Sequence, residues 1–282
     1  MRFINFFIIS FLIFNGKFAF SNQISQCDLQ TSDPLDIQNQ YINSKMIEGI
    51  YTIDLNNSDY STLVDACIKD LENTIKNKAR YSYQLARVYY AFEKYEKSLP
   101  LFTFAYEEGY IASSYYLGSI NFHDLIEVSF DDRSVDYFKK SYEGGYAVQA
   151  SLSYLADSYY YLGDYKNAEK YYLTFFKDYD VNDPEANYIT EILANLSDIY
   201  YSQDMYAEAS IYFEKTIKRY QSFPKKESKD NYLYALNELA FIYFNGLGGI
   251  PVDYERSAKS YMQLIKADID NEYTTALNQL SI

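Results

Sequence analysis

His123 is the single histidine of the chain, so a Ser-His-Asp or Cys-His relay would have to run through it. It stands beside Asp124 in HDLIEVSFDD, a stretch without helical period, and reads as a solvated loop side chain. Cys27 and Cys67 are the two thiols. Zinc needs several His or Cys at set spacing, and one distant imidazole does not supply them, so no metal ligand set is expected. In an oxidising compartment the cysteines are read as a disulfide pair, with two buried free thiols as the alternative. A phosphate loop would need a strand before Gly246–Gly249 and Lys-Ser/Thr after. A helical stretch precedes and Ile250-Pro251 follows, which makes this an interhelical turn. The acid pairs Glu107-Glu108 and Asp131-Asp132 sit at helix ends or turns. Asp131-Asp132 is placed to cap a helix and favour its positive end, and nothing singles out two carboxylates across a cleft as a glycosidase requires. The sequon Asn195-Leu196-Ser197 falls on a helix over a core leucine, and chance accounts for it. The chain reads as non-catalytic, with no cofactor. An envelope hydrolase using His123 is the enzymatic alternative.

The elements that carry these residues repeat. Leucine recurs at Leu85, Leu117, Leu155, Leu196 and Leu239, spaced 32, 38, 41 and 43 residues apart. Periods of ~20–50 residues signal stacked repeats. Four residues after the leucine stands Tyr89, Tyr159, Tyr200 or Tyr243, so one turn of the first helix supports a repeated contact. Thirteen after it stands Ser98, Ala168 or Ala209, a small residue that lets the second helix approach closely, and four further on Phe102, Tyr172 or Phe213. Two units lengthen the turn, placing Val135 and Ala258 in the small-residue slot. The spacing predicts helix pairs, the first over 79–92 and 95–108, with Pro100 kinking the second or delaying its start. Gly163 ends one helix and Asp164 caps the next. An earlier helix starts near Ser58 to Ser61. TTALNQLSI echoes ALNELAFI, a half-unit capping the array. Residues 22–60 are polar and aperiodic, with turn signals at Asp33-Pro34 and Asn56-Asn57, and read as an irregular N-terminal segment.

At these residues the chain resembles the tetratricopeptide and Sel1-like repeat superfamily, over 61–282. The units with thirteen-residue spacing resemble tetratricopeptide repeats. LAFIYFNGLGGIPVDYERSAKSYMQLIKA is similar to a Sel1-like repeat, with its Gly-rich turn, acidic residue and following helix. The second unit departs from the pattern: Asn121 replaces the aromatic, and its loop lacks glycine. Tyr110 stands where a proline commonly closes the first unit. The N-terminal stretch, with its two cysteines, is loosely similar to exported bacterial proteins of this type. The resemblance implies an all-α, right-handed α-solenoid of about five helix–turn–helix repeats with a C-terminal capping helix.

The resemblance also implies a groove. Stacked first helices line the concave side in this superfamily, and ligand-facing positions lie two residues before and two and five after the leucine. Carried over, these are Tyr83, Arg87 and Tyr90; Tyr115, Ser119 and Phe122; Ser153, Asp157 and Tyr160; Ala194, Asp198 and Tyr201; Asn237, Phe241 and Phe244. The rings at the last position of each unit form a ladder, with Asp157 and Asp198 between them. Such a surface suits an extended peptide with apolar and basic side chains. The alternative is that the rings only pack between helices. The function expected is a non-catalytic scaffold that holds a protein or peptide partner in the concave groove. The second reading is a structural or regulatory subunit of a cell-envelope complex, using the convex face or the C-terminal cap.

Composition sets the remaining bounds. The 282 residues include 35 Tyr and 19 Phe and no Trp, an excess for which AT-rich codon usage is the bland explanation. The formal charge of −14 disfavours nucleic acid and anionic headgroups. At the N-terminus, Arg2 precedes the apolar run Phe3–Phe14, which is short of the ~20 residues a bilayer span needs. Ala19-Phe20-Ser21 places signal-peptidase cleavage before Asn22. Residues 1–21 are thus expected to be a signal peptide of an exported, periplasmic or secreted protein, with an uncleaved anchor as the alternative. No membrane insertion is expected after cleavage, and the oligomeric state stays open.

Overall fold

The structure, a computed structural model, describes residues 25–36, 52–74, 76–126, 132–184, 188–225 and 228–267. The proposed signal peptide, Asp131 and the half-unit at 271–282 lie outside the described residues. Every regular element described is helical. None of these helices is long and apolar enough to cross a membrane.

The body is an α-solenoid of five helix pairs: α4 (Lys78–Ala91) with α5 (Tyr95–Glu107), α6 (Ala112–Phe122) with α7 (Arg133–Glu143), α8 (Val148–Tyr161) with α9 (Tyr165–Asp178), α10 (Ile189–Ser202) with α11 (Tyr206–Ser222), and α12 (Lys229–Asn245) with α13 (Tyr254–Ala267). Each second helix also packs on the first helix of the next pair. The five leucines are all buried in equivalent turns of the first helices. The next residue is always small: Ala86, Gly118, Ala156, Ser197 and Ala240. Four of these are fully buried, and a Cβ on Gly118 would lie 2.9 Å from the Phe138 ring of α7. Ser98, Ala168 and Ala209 face them from the second helices, equally buried. The axes can therefore approach closely, and the aromatic residues one turn on, Phe102, Tyr172 and Phe213, are fully buried between neighbouring pairs.

The structure corrects details of the sequence reading. In the fifth pair Ser257, not Ala258, fills the small-residue slot. Ser257 is buried and donates to the Ala240 carbonyl at 2.9 Å, whereas Ala258 is exposed. Helix α5 runs from Tyr95 straight through Pro100. Asp132 makes no side-chain cap on α7, but Asp164 caps α9, accepting from the Asn167 amide at 3.1 Å. Gly163 ends α8 in the left-handed conformation, and Glu93, Asp124 and Asp204 adopt it after α4, α6 and α10. The first helices thus end alike even where no glycine is present. The Asn195 amide donates to Asp157 and to Tyr172, so the sequon lies in a packed contact.

Part of the N-terminal segment, expected to be irregular, is helical: α1 (Gln26–Thr31) and α2 (Thr52–Leu55), followed by α3 (Tyr60–Glu72). Ser25 and Asp28 close a reciprocal capping box at the start of α1. The Cys27 and Cys67 sulfurs are at bonding distance, 2.01 Å, tying α1 to α3. With the cysteines 40 positions apart in sequence, the cross-link contributes roughly 3–4 kcal/mol by chain entropy.

Candidate functional site

The first helices α4, α6, α8, α10 and α12 line one face, and the sequence placed every groove position on it. At the first repeat that face is already filled. Arg80 donates to Asp28 of α1 at 2.9 Å, and the Gln84 amide donates to the same carboxylate at 3.0 Å. Arg87 reaches the Thr31 carbonyl at 2.7 Å, the Thr52 hydroxyl at 3.0 Å and the Asp33 carboxylate at 3.3 Å. Tyr83 also donates to Asp33, as does Tyr146 at 2.5 Å, while Tyr110 donates to Asp36. Thr52 closes the set through the Tyr116 hydroxyl at 2.6 Å. Arg80, Arg87, Asp28 and Asp33 are all nearly or fully buried. Buried charges demand partners, and here both signs come from the same chain. Tyr83 and Arg87, predicted to face a ligand, instead hold the protein's own N-terminal segment.

Further along, the rings of the predicted ladder divide. Tyr90 shares a 2.8 Å hydrogen bond with Ser119 of the next repeat. Tyr160 donates to Asp198 of the next repeat at 2.6 Å, and Asp198 also accepts from Tyr234 at 2.8 Å. Burial first, then the hydrogen bond to Asp198, holds the Tyr160 hydroxyl well above its ordinary pKa. Burial, then Glu238, does the same for Tyr201. Tyr115 and Phe122 are half-buried and pack against Phe138 and Tyr154. These rings join repeats. Of the ladder rings Phe244 stays open, 48% exposed, as do the predicted groove residue Phe241 at 40% and, outside the predicted set, Tyr161 at 59%. Ser153 and Ala194 are buried. Asn237 is half-buried and donates to Glu238 at 2.8 Å.

Asp157 is the electrostatic centre of this stretch. It is buried, and Tyr172 and Asn195 both donate to its Oδ1, at 2.5 and 3.2 Å. Burial first, then the neighbouring Glu191, pushes its carboxyl up to about 8, against the two hydrogen bonds. Tyr154, Tyr161 and Tyr188 feel the same two acids. The carboxylates Asp157, Glu191, Asp198 and Glu238 thus run along three successive first helices. Helices α8 and α10 contain no Lys or Arg, and α12 has only Lys229, at its first residue. Glu191, Glu238, Tyr154, Tyr161 and Tyr188 are absent from the three positions carried over from the superfamily. One turn before Ala194 in the sequence stands Glu191, and one turn after Asp157 stands Tyr161, so widening those positions by a turn either way would have found both.

His123 follows α6, exposed, with its ring against Phe122 and Tyr154. Partial burial lowers its pKa, and no hydrogen bond joins it to a serine or acid among the described residues. No group of three His, Cys, Asp or Glu there is arranged to hold a metal ion.

With this geometry in hand, comparison places the repeats. Residues 147–222, which span α8 to α11, match the tetratricopeptide repeat family. The solved structure of the C-terminal part of a TPR repeat-containing protein from Cytophaga hutchinsonii is similar, with a TM-score of 0.61 and 14% sequence identity. The alignment covers 81% of this chain and 84% of that one. No curated protein matches the chain. The fold is therefore a solenoid of tetratricopeptide-like repeats. Repeats of this kind generally mediate contact between proteins, and an extended face of stacked helices is the physical reason.

Proposed function

We propose that the protein is a non-catalytic scaffold that holds an extended, basic segment of a partner protein along α8, α10 and α12. The observation that carries this reading is the sign of the open face. Glu191, Asp198 and Glu238 and the exposed rings Tyr161, Phe241 and Phe244 lie along helices almost free of Lys and Arg. A lysine or arginine side chain would meet carboxylates there and lay its stem on the rings. The first repeat supports the principle with the signs exchanged. It alone has arginines on its first helix, and an acidic segment fills it.

The fifth unit fits the Sel1-like variant of the repeat. Gly246, Gly248 and Gly249 all take positive φ, and Asp253 accepts from the Arg256 amide at the start of α13. A bond between Cys27 and Cys67 is in keeping with export to an oxidising compartment.

The test uses a labelled, unstructured peptide of alternating lysine and leucine and its glutamate counterpart, with binding read by fluorescence anisotropy. The lysine peptide should bind and the glutamate peptide should not. Glu191→Lys with Glu238→Lys should weaken binding about tenfold or more, equivalent to about 1.4 kcal/mol. Glu208→Lys with Glu255→Lys, exposed on the second helices, should change it far less. Equal effects of the two double variants would reject the site.

A further inference from the structure

On the opposite face, between the second helices α9 and α11, lies a cleft of about 530 Å³. We propose that it binds a single-chain amphiphile with an anionic head, a site separate from the groove. Its wall is apolar: Leu173 and Phe176 of α9, Val181 of the following turn, and Phe223 beyond α11. Its size falls within the ~300–1,000 Å³ of small-ligand sites. Its rim reverses the charge of the molecule. Lys215 and Lys218 both border it, exposed and one helical turn apart. Neither makes an ion pair or hydrogen bond among the described residues, and Lys215 rests its ammonium 4.4 Å from the centre of the Tyr212 ring.

The far wall is fixed. Arg219 is buried and donates to the carbonyls of Val181 and Asp183 at 3.1 and 2.6 Å, pinning the turn after α9, and its guanidinium stacks 4.3 Å from the centre of the Phe223 ring. The carboxylate among the lining residues, Asp180, is engaged by its own turn, accepting from the Asn182 amide at 2.9 Å and side chain at 3.1 Å. Two unpaired ammonium groups at the mouth of an apolar cleft, in a chain of net charge −14, match a carboxylate or phosphate head followed by an alkyl tail. A basic or neutral occupant would leave the lysines uncompensated.

Calorimetric titration with sodium decanoate below its micelle concentration tests this, with decyltrimethylammonium as the opposite-charge control. Decanoate should bind one per chain and the cationic amphiphile about tenfold more weakly or not at all. Lys215→Glu with Lys218→Glu should weaken decanoate about tenfold or more at unchanged Tm. Ser222→Trp, from an exposed lining position, should block it. Sedimentation with phosphatidylglycerol vesicles identifies the source: co-sedimentation lost in the lysine variant points to lipid, and its absence beside decanoate binding points to a free acid. No decanoate binding, or binding that survives both variants, overturns the proposal. Neither result depends on the groove, where Glu191 and Glu238 are read separately.

Discussion

The hydroxyl of Tyr160 donates to Asp198 at 2.6 Å, from the third repeat into the fourth. The same carboxylate accepts from Tyr234 of the fifth repeat at 2.8 Å. A ring read from sequence as a ligand contact is thus also a tie between repeats. Tyr160→Phe should lower stability by about 1.5–3 kcal/mol, the range for a hydrogen bond to a charged group, while leaving capture of the lysine peptide intact. Chemical denaturation and anisotropy on the same variant separate the two roles. Tyr160→Ala would confound them.

Arg87 and Asp33 form a nearly fully buried pair. Removing one partner strands the other, so Arg87→Met should cost about 3–5 kcal/mol. Hydrogen exchange should then accelerate first in 25–36, before the helices of the third to fifth repeats. Uniform acceleration along the chain would show that the pair does not anchor that segment.

Reduction of Cys27–Cys67 should lower stability by roughly 3 kcal/mol, seen as a reductant-dependent fall in the denaturation midpoint. Cys27→Ser with Cys67→Ser should match the reduced protein. A midpoint indifferent to reductant would mean that the cross-link is not formed in solution.

Burial, then Glu191, pushes the carboxyl of Asp157 up to about 8, against an ordinary value of 3.8. Its folded pKa is raised, so its contribution is fully present below about pH 4 and is lost as pH rises toward 8. Asp157→Asn should therefore be no more stable than the parent at pH 4 and should gain on it progressively to pH 8, levelling above. Thermal melts across that range check the sign. Binding of the lysine peptide at pH 7 should release a proton from the Asp157–Glu191 pair, measurable as a calorimetric heat that varies with buffer ionisation enthalpy.

Gly118 lies against the fully buried Phe138 ring. Gly118→Ala gains about 1 kcal/mol of helix propensity, but a Cβ 2.9 Å from the fully buried ring forces it to shift within the core. Overpacking of about 1–3 kcal/mol should win, lowering the melting temperature.

The helical pairs were legible because their signals are local. The leucine, the small residue in the facing helix and the ring one turn later recur at fixed offsets in the first, third and fourth pairs, and there each is buried as the period predicts. The fifth pair slipped by one residue because Ser257 and Ala258 are both small, and only the length of the turn after Gly246 decides which faces α12. The N-terminal segment was illegible for the opposite reason. Asp28 and Asp33 find Arg80 and Arg87 more than fifty residues away, and contacts at that separation leave no period behind. One trace was available: the first helices of the later repeats lack arginine, so two arginines on α4 needed an explanation. The acids of these helices were half-legible, the buried Asp157 and the half-buried Asp198 by position, Glu191 and Glu238 only once the helices were seen side by side.

Asp33 touches Tyr83 and Arg87 of the first repeat and also Tyr146, at the entrance to the third. A stack of hairpins held only by nearest neighbours behaves as a spring. This strut skips a coil and fixes the pitch of the leading end, leaving elastic compliance to the trailing coils. Stretched from its termini, the molecule should lengthen from the far side of Tyr146 before the leading coils yield.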